Sequence, residues 1–234
     1  MNINKFIAQA GLTSRRGADE LIKAGKVKIN QNIAKPIDKV GDADRVFVDG
    51  KIIEPETQKT YLAFNKPIGV ITTTDKSSPN NIIDYIKYPK RVFPVGRLDV
   101  NTSGLILLTN DGDWAQRIMK GKKIEKEYMV EVDKSIDNNF LKGLERGVKL
   151  DGYPTLPAQA QKLGDRSFTI TIVEGRNRQI KRMCEHFGYN VRELRRIRIG
   201  KLELDDLKEG KYKELTKNEI DQISAQTIDK NKQT

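Results

Sequence analysis

The chain has almost no sulfur or imidazole to work with: one cysteine, Cys184, and one histidine, His186, in 234 residues. A single cysteine excludes an internal disulfide and fits a reducing compartment. His186, wedged between Glu185 and Phe187, is read as a structural or surface residue, since no Ser–His pair and no cluster of metal ligands accompanies it. No segment approaches the ~20 apolar residues of a membrane span. The amino terminus, MNINKFIAQAGLTSRR, shows neither the apolar core nor the small-residue cleavage site of a secretory signal, so a cytoplasmic protein is expected. No Gly-Lys-Ser/Thr follows Gly96–Gly104, which excludes a P-loop there, and neither a βαβ glycine fingerprint nor an internal repeat is found.

What the chain has is positive charge. Forty-three Lys and Arg against 32 Asp and Glu give a formal +11. A solvated basic surface would serve solubility alone, but this charge is patchy. Residues 174–201 carry nine basic residues (Arg176, Arg178, Lys181, Arg182, Arg192, Arg195, Arg196, Arg198, Lys201) against three acids (Glu174, Glu185, Glu193). Residues 1–30 carry six against two. Concentrated basicity points to a polyanion, nucleic acid first.

Local patterns divide the chain in two. Residues 1–55 read as a small αβ unit: a helix from Asn4 to Ala10 stopped by Gly11, a second helix capped by Ser14 and closed by Gly25, then alternating strands around Val27–Ile29 and Val46–Val48. A polar, proline-bearing piece follows, with the linker taken as 56–60. From Tyr61 to 223 strands and helices alternate irregularly, which predicts an α+β domain with a largely antiparallel or mixed sheet and flanking helices. Expected strands are Tyr61–Phe64, Val70–Thr73, the apolar run Leu105–Leu108, Tyr128–Val132 and Ser167–Val173. Expected helices are Asn81–Ile86, Trp114–Met119 capped by Asp113, and 177–187 ending at Gly188. Trp114 is expected in the core. Residues 224–234 are expected to be disordered.

Two constellations carry chemistry. Asp99 sits between the turn Pro94-Val95-Gly96-Arg97 and the apolar run, with no second carboxylate close by; it is either a turn residue bonding its own backbone or an acid in use. Asp111 and Asp113 suit a turn and helix cap better than a Ca²⁺ loop. In the helix at 177–187, Ile180, Met183, Cys184 and Phe187 form one apolar face, which assigns Cys184 to packing, and Arg178, Lys181, Arg182 and Glu185 form the opposite one. Its amino-terminal turn follows a glycine turn and would favour an anion.

The blocks "GRLDVNTSGLILLTNDGD", "KEYMVEV" and "EGRNRQIKRMCEHFGYNVRELRRIRIG" resemble the three signature blocks of RNA pseudouridine synthases. The branch is the one named after small-subunit ribosomal pseudouridine synthase A. "TSRRGADELIKAGKVKINQ" resembles the S4 RNA-binding domain that this branch carries. Within it, "NKPIGVITTTD", "RVFPVGRLD" and "NRQIKRMCEHFGYNV" look most like the F-type large-subunit enzymes. The resemblance implies isomerisation of a uridine in ribosomal RNA, most of all 23S rRNA, by base flipping, with a transfer RNA substrate left open. It implies a monomer using no cofactor, metal or ATP. Asp99 would be the catalytic aspartate, with Arg97 in the same block. Tyr128 would stack on the base, Lys181 would pair with the aspartate, and Leu194 would line the pocket. RNA would be held by Ser14, Arg15, Arg16, Lys26 and Lys28 in the S4 unit and by Arg176, Arg178, Arg182, Arg195, Arg196 and Arg198. Two residues depart from the S4 pattern: Gly17, which weakens its helix by about 1 kcal/mol relative to alanine, and Gln31, which replaces a turn glycine and puts that turn's geometry in question. A non-catalytic RNA-binding assembly factor, a synthase acting on small-subunit RNA, and a nucleoside glycosidase are the competing readings.

Overall fold

The computed structural model describes residues 1–120 and 124–225, which form two compact units. The first comprises 1–60 with 88–92 and 110–112; the second comprises 61–87, 93–109 and the chain from 113 onward. No helix among the described residues is long and apolar enough to cross a membrane.

The first unit packs α1 (Ile3–Gln9) and α2 (Arg15–Lys23) on a four-stranded antiparallel sheet of β1 (Val27–Ile29), β2 (Asn32–Ile33), β3 (Val46–Val48) and β4 (Lys51–Ile53), in the order β2-β1-β3-β4. Ile3, Ile7, Ala18, Ile22, Val27, Val46 and Val48 meet in its core. Ser14 caps α2 by accepting from the Gly17 N–H at 3.1 Å, the bond expected of an N-cap serine. The β1–β2 turn works without glycine at 31 because Asn30 takes the left-handed conformation, φ 55°. The Asn30 amide then holds the turn, donating to Asp44 and accepting from the Arg45 N–H.

In the second unit, β5 (Tyr61–Lys66), α3 (Ile82–Ile86), β6 (Phe93–Val95), β7 (Ser103–Thr109), α4 (Gly112–Lys120) and β8 (Lys126–Val132) come first. Then come α5 (Asn138–Arg146), the hairpin β9 (Lys149–Leu150) and β10 (Tyr153–Pro154), β11 (Gln159–Lys162) and β12 (Ser167–Ile172). The last elements are α6 (Gln179–His186), β13 (Val191–Ile199), β14 (Leu202–Glu203), β15 (Tyr212–Glu214) and α7 (Lys217–Ala225). Among the described residues these strands build a sheet in the order β11-β12-β8-β13-β7-β5-β15, with β14 added to β13 and β6 to β7. Every pairing is antiparallel except β7 with β13.

β7 is buried along its whole length, which is why its sequence is continuously apolar rather than alternating. Leu105 and Leu107 join Trp114, Ala115 and Ile118 of α4 in one core. Burial of Leu105 to Leu108 contributes roughly 2 kcal/mol per side chain. β12 alternates buried and half-buried residues, as its period-two pattern foretold.

Four expectations are corrected. Residues 70–73 form no strand: Ile71 makes a single bridge to Asn81, its amide and carbonyl bonding to Asn80 and Ile82, while the Thr72 side chain is engaged with the loop carrying Asp99. Asp113 lies inside the first turn of α4, which begins at Gly112. The helix expected at 177–187 begins at Gln179, because Arg178 is left-handed at φ 49°. Ser224 and Ala225 belong to α7, where the Ser224 hydroxyl donates to Ile220 O and accepts from the Trp114 indole; the rest of the expected disordered tail lies outside the described residues.

Gly104 fixes the centre of the sheet. It pairs with Lys66 on β5 and with Arg196 on β13, its φ is +102°, and a Cβ there would collide with the Arg196 carbonyl and lie 2.7 Å from its amide nitrogen. Both the conformation and the close approach require glycine. Gly104→Ala is expected to lose at least about 2 kcal/mol of stability in denaturant unfolding, because backbone rather than a flexible side chain stands in the way.

Lys66 closes the neighbouring strand. It is wholly buried, and its ammonium donates to Pro67 O at 3.0 Å and Val70 O at 2.8 Å. Burial lowers its pKa from the ordinary 10.5 to about 8, against an opposing pull from Asp99 and Glu209. Because the folded pKa lies below the unfolded one, the unfolded chain binds more protons between those values, and Lys66 makes stability rise with pH in that window. The stability difference between wild type and Lys66→Met should therefore move in favour of wild type by up to roughly 3 kcal/mol between pH 8 and 10.5 in urea melts; a difference independent of pH would contradict the assignment.

Candidate active site

A cleft of about 440 Å³ opens on the sheet face of the second unit, lined by Arg97, Asp99, Thr102, Tyr128 and Leu194 together with the 175–180 turn. The sequence brings these residues together through strand register. Tyr128 on β8 lies directly across from Arg196 on β13, and Leu194 precedes Arg196 by two residues, so all three side chains share one face.

Asp99 is half-buried on a loop whose backbone is tied at nearly every step. Leu98 N–H donates to the Thr72 hydroxyl, which donates back to Leu98 O at 2.8 Å. Gly69 N–H donates to Val100 O and Thr102 N–H to Asp99 O, and the Lys181 ammonium donates to Asn101 O at 3.2 Å. Thr72 and Gly69 lie in and beside the segment expected as a strand; they hold the acid loop instead.

Lys181 is only 8% exposed. Burial lowers its pKa and Arg178 adds to the effect, while Asp99 and Glu185 oppose it. Lys181 and Asp99 therefore interact through space, with the Asn101 carbonyl as the lysine's direct hydrogen-bond partner. Lys181 is turned inward from the charged face of α6, and α6 buries Ile180, Met183 and Cys184 as expected. Burial pushes the Cys184 thiol up to about 12, which suits packing and not nucleophilic work.

Tyr128 is 8% exposed and is supported from behind. The Arg196 guanidinium donates from Nε to Leu105 O at 2.7 Å and, at the longer distance of 3.4 Å, to the Tyr128 hydroxyl; its centre lies 5.9 Å from the Tyr128 ring centroid. A second cavity of about 260 Å³ beside this pair is lined by Arg196, Lys126 and Glu174 among others. Burial and Arg196 together lower the Lys126 pKa.

The expected RNA-contacting residues divide. Arg15, Arg16, Lys26 and Lys28 are exposed, and Lys26 lies 3.7 Å from Asp49. The exposed Ser14 commits its hydroxyl to the helix cap. Arg196 is corrected from a surface contact to a buried one, 4% exposed. Arg198 is half-buried and held by Glu127 at 2.7 Å, Glu125 at 3.1 Å and the Gly200 carbonyl. Arg182 grips Asp151 with two bonds. Arg176 pairs with Glu174 and reaches the carbonyls of Tyr153 and Pro154, so these two arginines brace the β9–β10 hairpin. Arg178 is exposed, 3.7 Å from Glu185. Arg195 is half-buried, with Nε lacking a partner. Arg97 is exposed at the cleft. The inward setting of Arg196 was visible in principle, since it alternates with the apolar Leu194; a strand dense in arginine hid it.

Comparison with known proteins identifies the family. Residues 60–186 match the family described as RNA pseudouridylate synthase and residues 1–46 match the S4 domain. The dual-specificity RNA pseudouridine synthase RluF of Escherichia coli (strain K12) is 43% identical over 94% of this chain and 77% of its own length. The ribosomal large subunit pseudouridine synthase B of Bacillus subtilis (strain 168) is 40% identical over 95% of each. A solved structure described as a pseudouridylate synthase superposes with a TM-score of 0.70 at 34% identity, covering 95% of this chain and 99% of that one. A family match across more than half the chain, joined to relatives of this identity over nearly all of it, places the protein among the RNA pseudouridine synthases, as a member with an amino-terminal S4 domain.

Proposed function

We propose that the protein converts a uridine of ribosomal RNA, in the 23S molecule of the large subunit, to pseudouridine, with Asp99 as the carboxylate that acts on the flipped nucleotide. The names of the relatives from E. coli and B. subtilis support the substrate class. The word dual-specificity in the first makes a second RNA part of this reading, with transfer RNA as the candidate. In this assignment residues 1–55 are the S4-like RNA-binding domain, 56–60 the linker and 61–223 the catalytic domain, working as a cytoplasmic monomer.

The observation that carries the site assignment is the isolation of the Asp99 carboxylate. It faces the cleft and has no hydrogen-bond partner among the described residues, while Lys66 and Lys181 feel its charge through space. Two buried ammonium groups thus stand within electrostatic reach of the acid that faces the cleft. The isomerisation breaks the bond between N1 and ribose C1′ and makes one between C5 and C1′. A proton leaves C5 and N1 gains one, so substrate and product have the same composition. One carboxylate suffices for such a reaction, as nucleophile or as base. Flipping the nucleotide costs a few kcal/mol, and stacking on Tyr128 with Leu194 alongside returns about 1–3 kcal/mol.

Asp99→Asn should abolish pseudouridine formation in a tritium-release assay while the protein still binds RNA; retained turnover would refute the role. Replacing Arg15 and Arg16 together by Ala should weaken RNA binding and flatten its dependence on log salt by about one unit for each phosphate no longer neutralised. An unchanged slope would take this patch out of the interface.

A further inference from the structure

Thr102 is 2% exposed, it lines the same cleft as Asp99, Tyr128 and Leu194, and its hydroxyl oxygen has no hydrogen-bond partner. Its neighbours on the loop are committed: the carbonyls of Leu98, Asp99, Val100 and Asn101 all accept hydrogen bonds, and the Thr102 amide is itself a donor. Within residues 98–102, Asp99 and Thr102 are the residues with polar side chains that border the cleft, and the Thr102 hydroxyl itself is shielded from solvent. An orphaned hydroxyl away from water is a standing cost to the fold. Valine has nearly the same shape, suits a position entering a strand, and would remove that cost. Threonine at this place makes physical sense if a partner arrives with the ligand.

We infer that Thr102 is a substrate-contacting residue whose hydroxyl is completed by the flipped nucleotide, through a hydrogen bond to the ribose 2′-hydroxyl or to the polar edge of the uracil. This rests on the reading of the cleft as the uridine site and adds to it a binding group with a defined donor–acceptor character. A hydroxyl can give or take a hydrogen bond, so it can follow a base that changes its exposed edge during isomerisation.

The test compares wild type with Thr102→Val and Thr102→Ser on a ribosomal stem-loop RNA, reading turnover, equilibrium binding and thermal unfolding. Thr102→Val should lower kcat/KM about tenfold, as for one hydrogen bond removed with its partner left unpaired, and should leave the melting temperature unchanged or raise it. Thr102→Ser should keep most of the activity. Full activity in Thr102→Val would overturn the inference; so would a fall in melting temperature in step with the activity loss, which would show the hydroxyl to be engaged inside the fold. RNA carrying 2′-deoxyuridine at the target separates the two partners: the binding defect of Thr102→Val disappears on that RNA if the ribose is the partner and persists if the base is. A wild-type protein that fails to convert the RNA would sink the substrate assignment alone, and the binding and unfolding comparisons would still decide the role of Thr102.

Discussion

The site depends on one backbone contact, the parallel approach of β13 to β7 at Gly104. Without a side chain at 104 the two strands close to van der Waals distance, and this sets Arg196 beside Leu105, whose carbonyl it grips. Arg196 in turn lies across from Tyr128 and behind its hydroxyl. The same approach places the acid loop, which leads directly into β7, beside α6, which leads into β13. A shift of one residue in β13 would send Leu194 and Arg196 to the wrong face. The glycine in the first signature block is thus as much a part of the site's geometry as the aspartate five residues before it.

Around the acid, the structure favours charge at a distance over direct pairing. Asp99 has two lysines within electrostatic reach, both buried and both hydrogen-bonded to backbone carbonyls. A direct, desolvated ion pair would occupy the carboxylate and would have to be broken for chemistry, at considerable cost. Ammonium groups held by carbonyls leave both carboxylate oxygens without a partner among the described residues. The clamped loop holds Asp99 apart from both lysines, which is the preorganisation that the proposed role of Asp99 would require.

Much of this was readable from sequence because the relevant signals are local or periodic. Ser14 and Gly25 bounded a helix, β7 showed itself as an unbroken apolar run, and β8 and β12 alternated. The signature blocks carried Asp99, Tyr128 and Leu194, and the structure gathers those three at one cleft. What could not be read depended on long-range partners. Nothing local distinguishes Arg196 from Arg195 or Arg198, yet one is buried under a tyrosine and another is held by two glutamates 71 and 73 residues away in the chain. Residues 70–73 have strand composition, but Thr72 bonds to the acid loop. The empty bonding capacity of Thr102 is a property of its surroundings, which no spacing rule reports.

The internal pairing of arginines changes how the basic surface should be counted. Arg198, Arg182 and Arg176 each already hold a carboxylate, so a phosphate reaching them must displace an anion of the protein's own, and the exchange yields little net gain. Under the proposed function, counterion release would then fall to cations with no acid partner among the described residues, such as Arg15, Arg16 and Lys28 in one unit and Arg97 in the other. The formal charge of +11 overstates the grip on a polyanion, and a large share of the arginine in the third signature block serves as internal scaffolding.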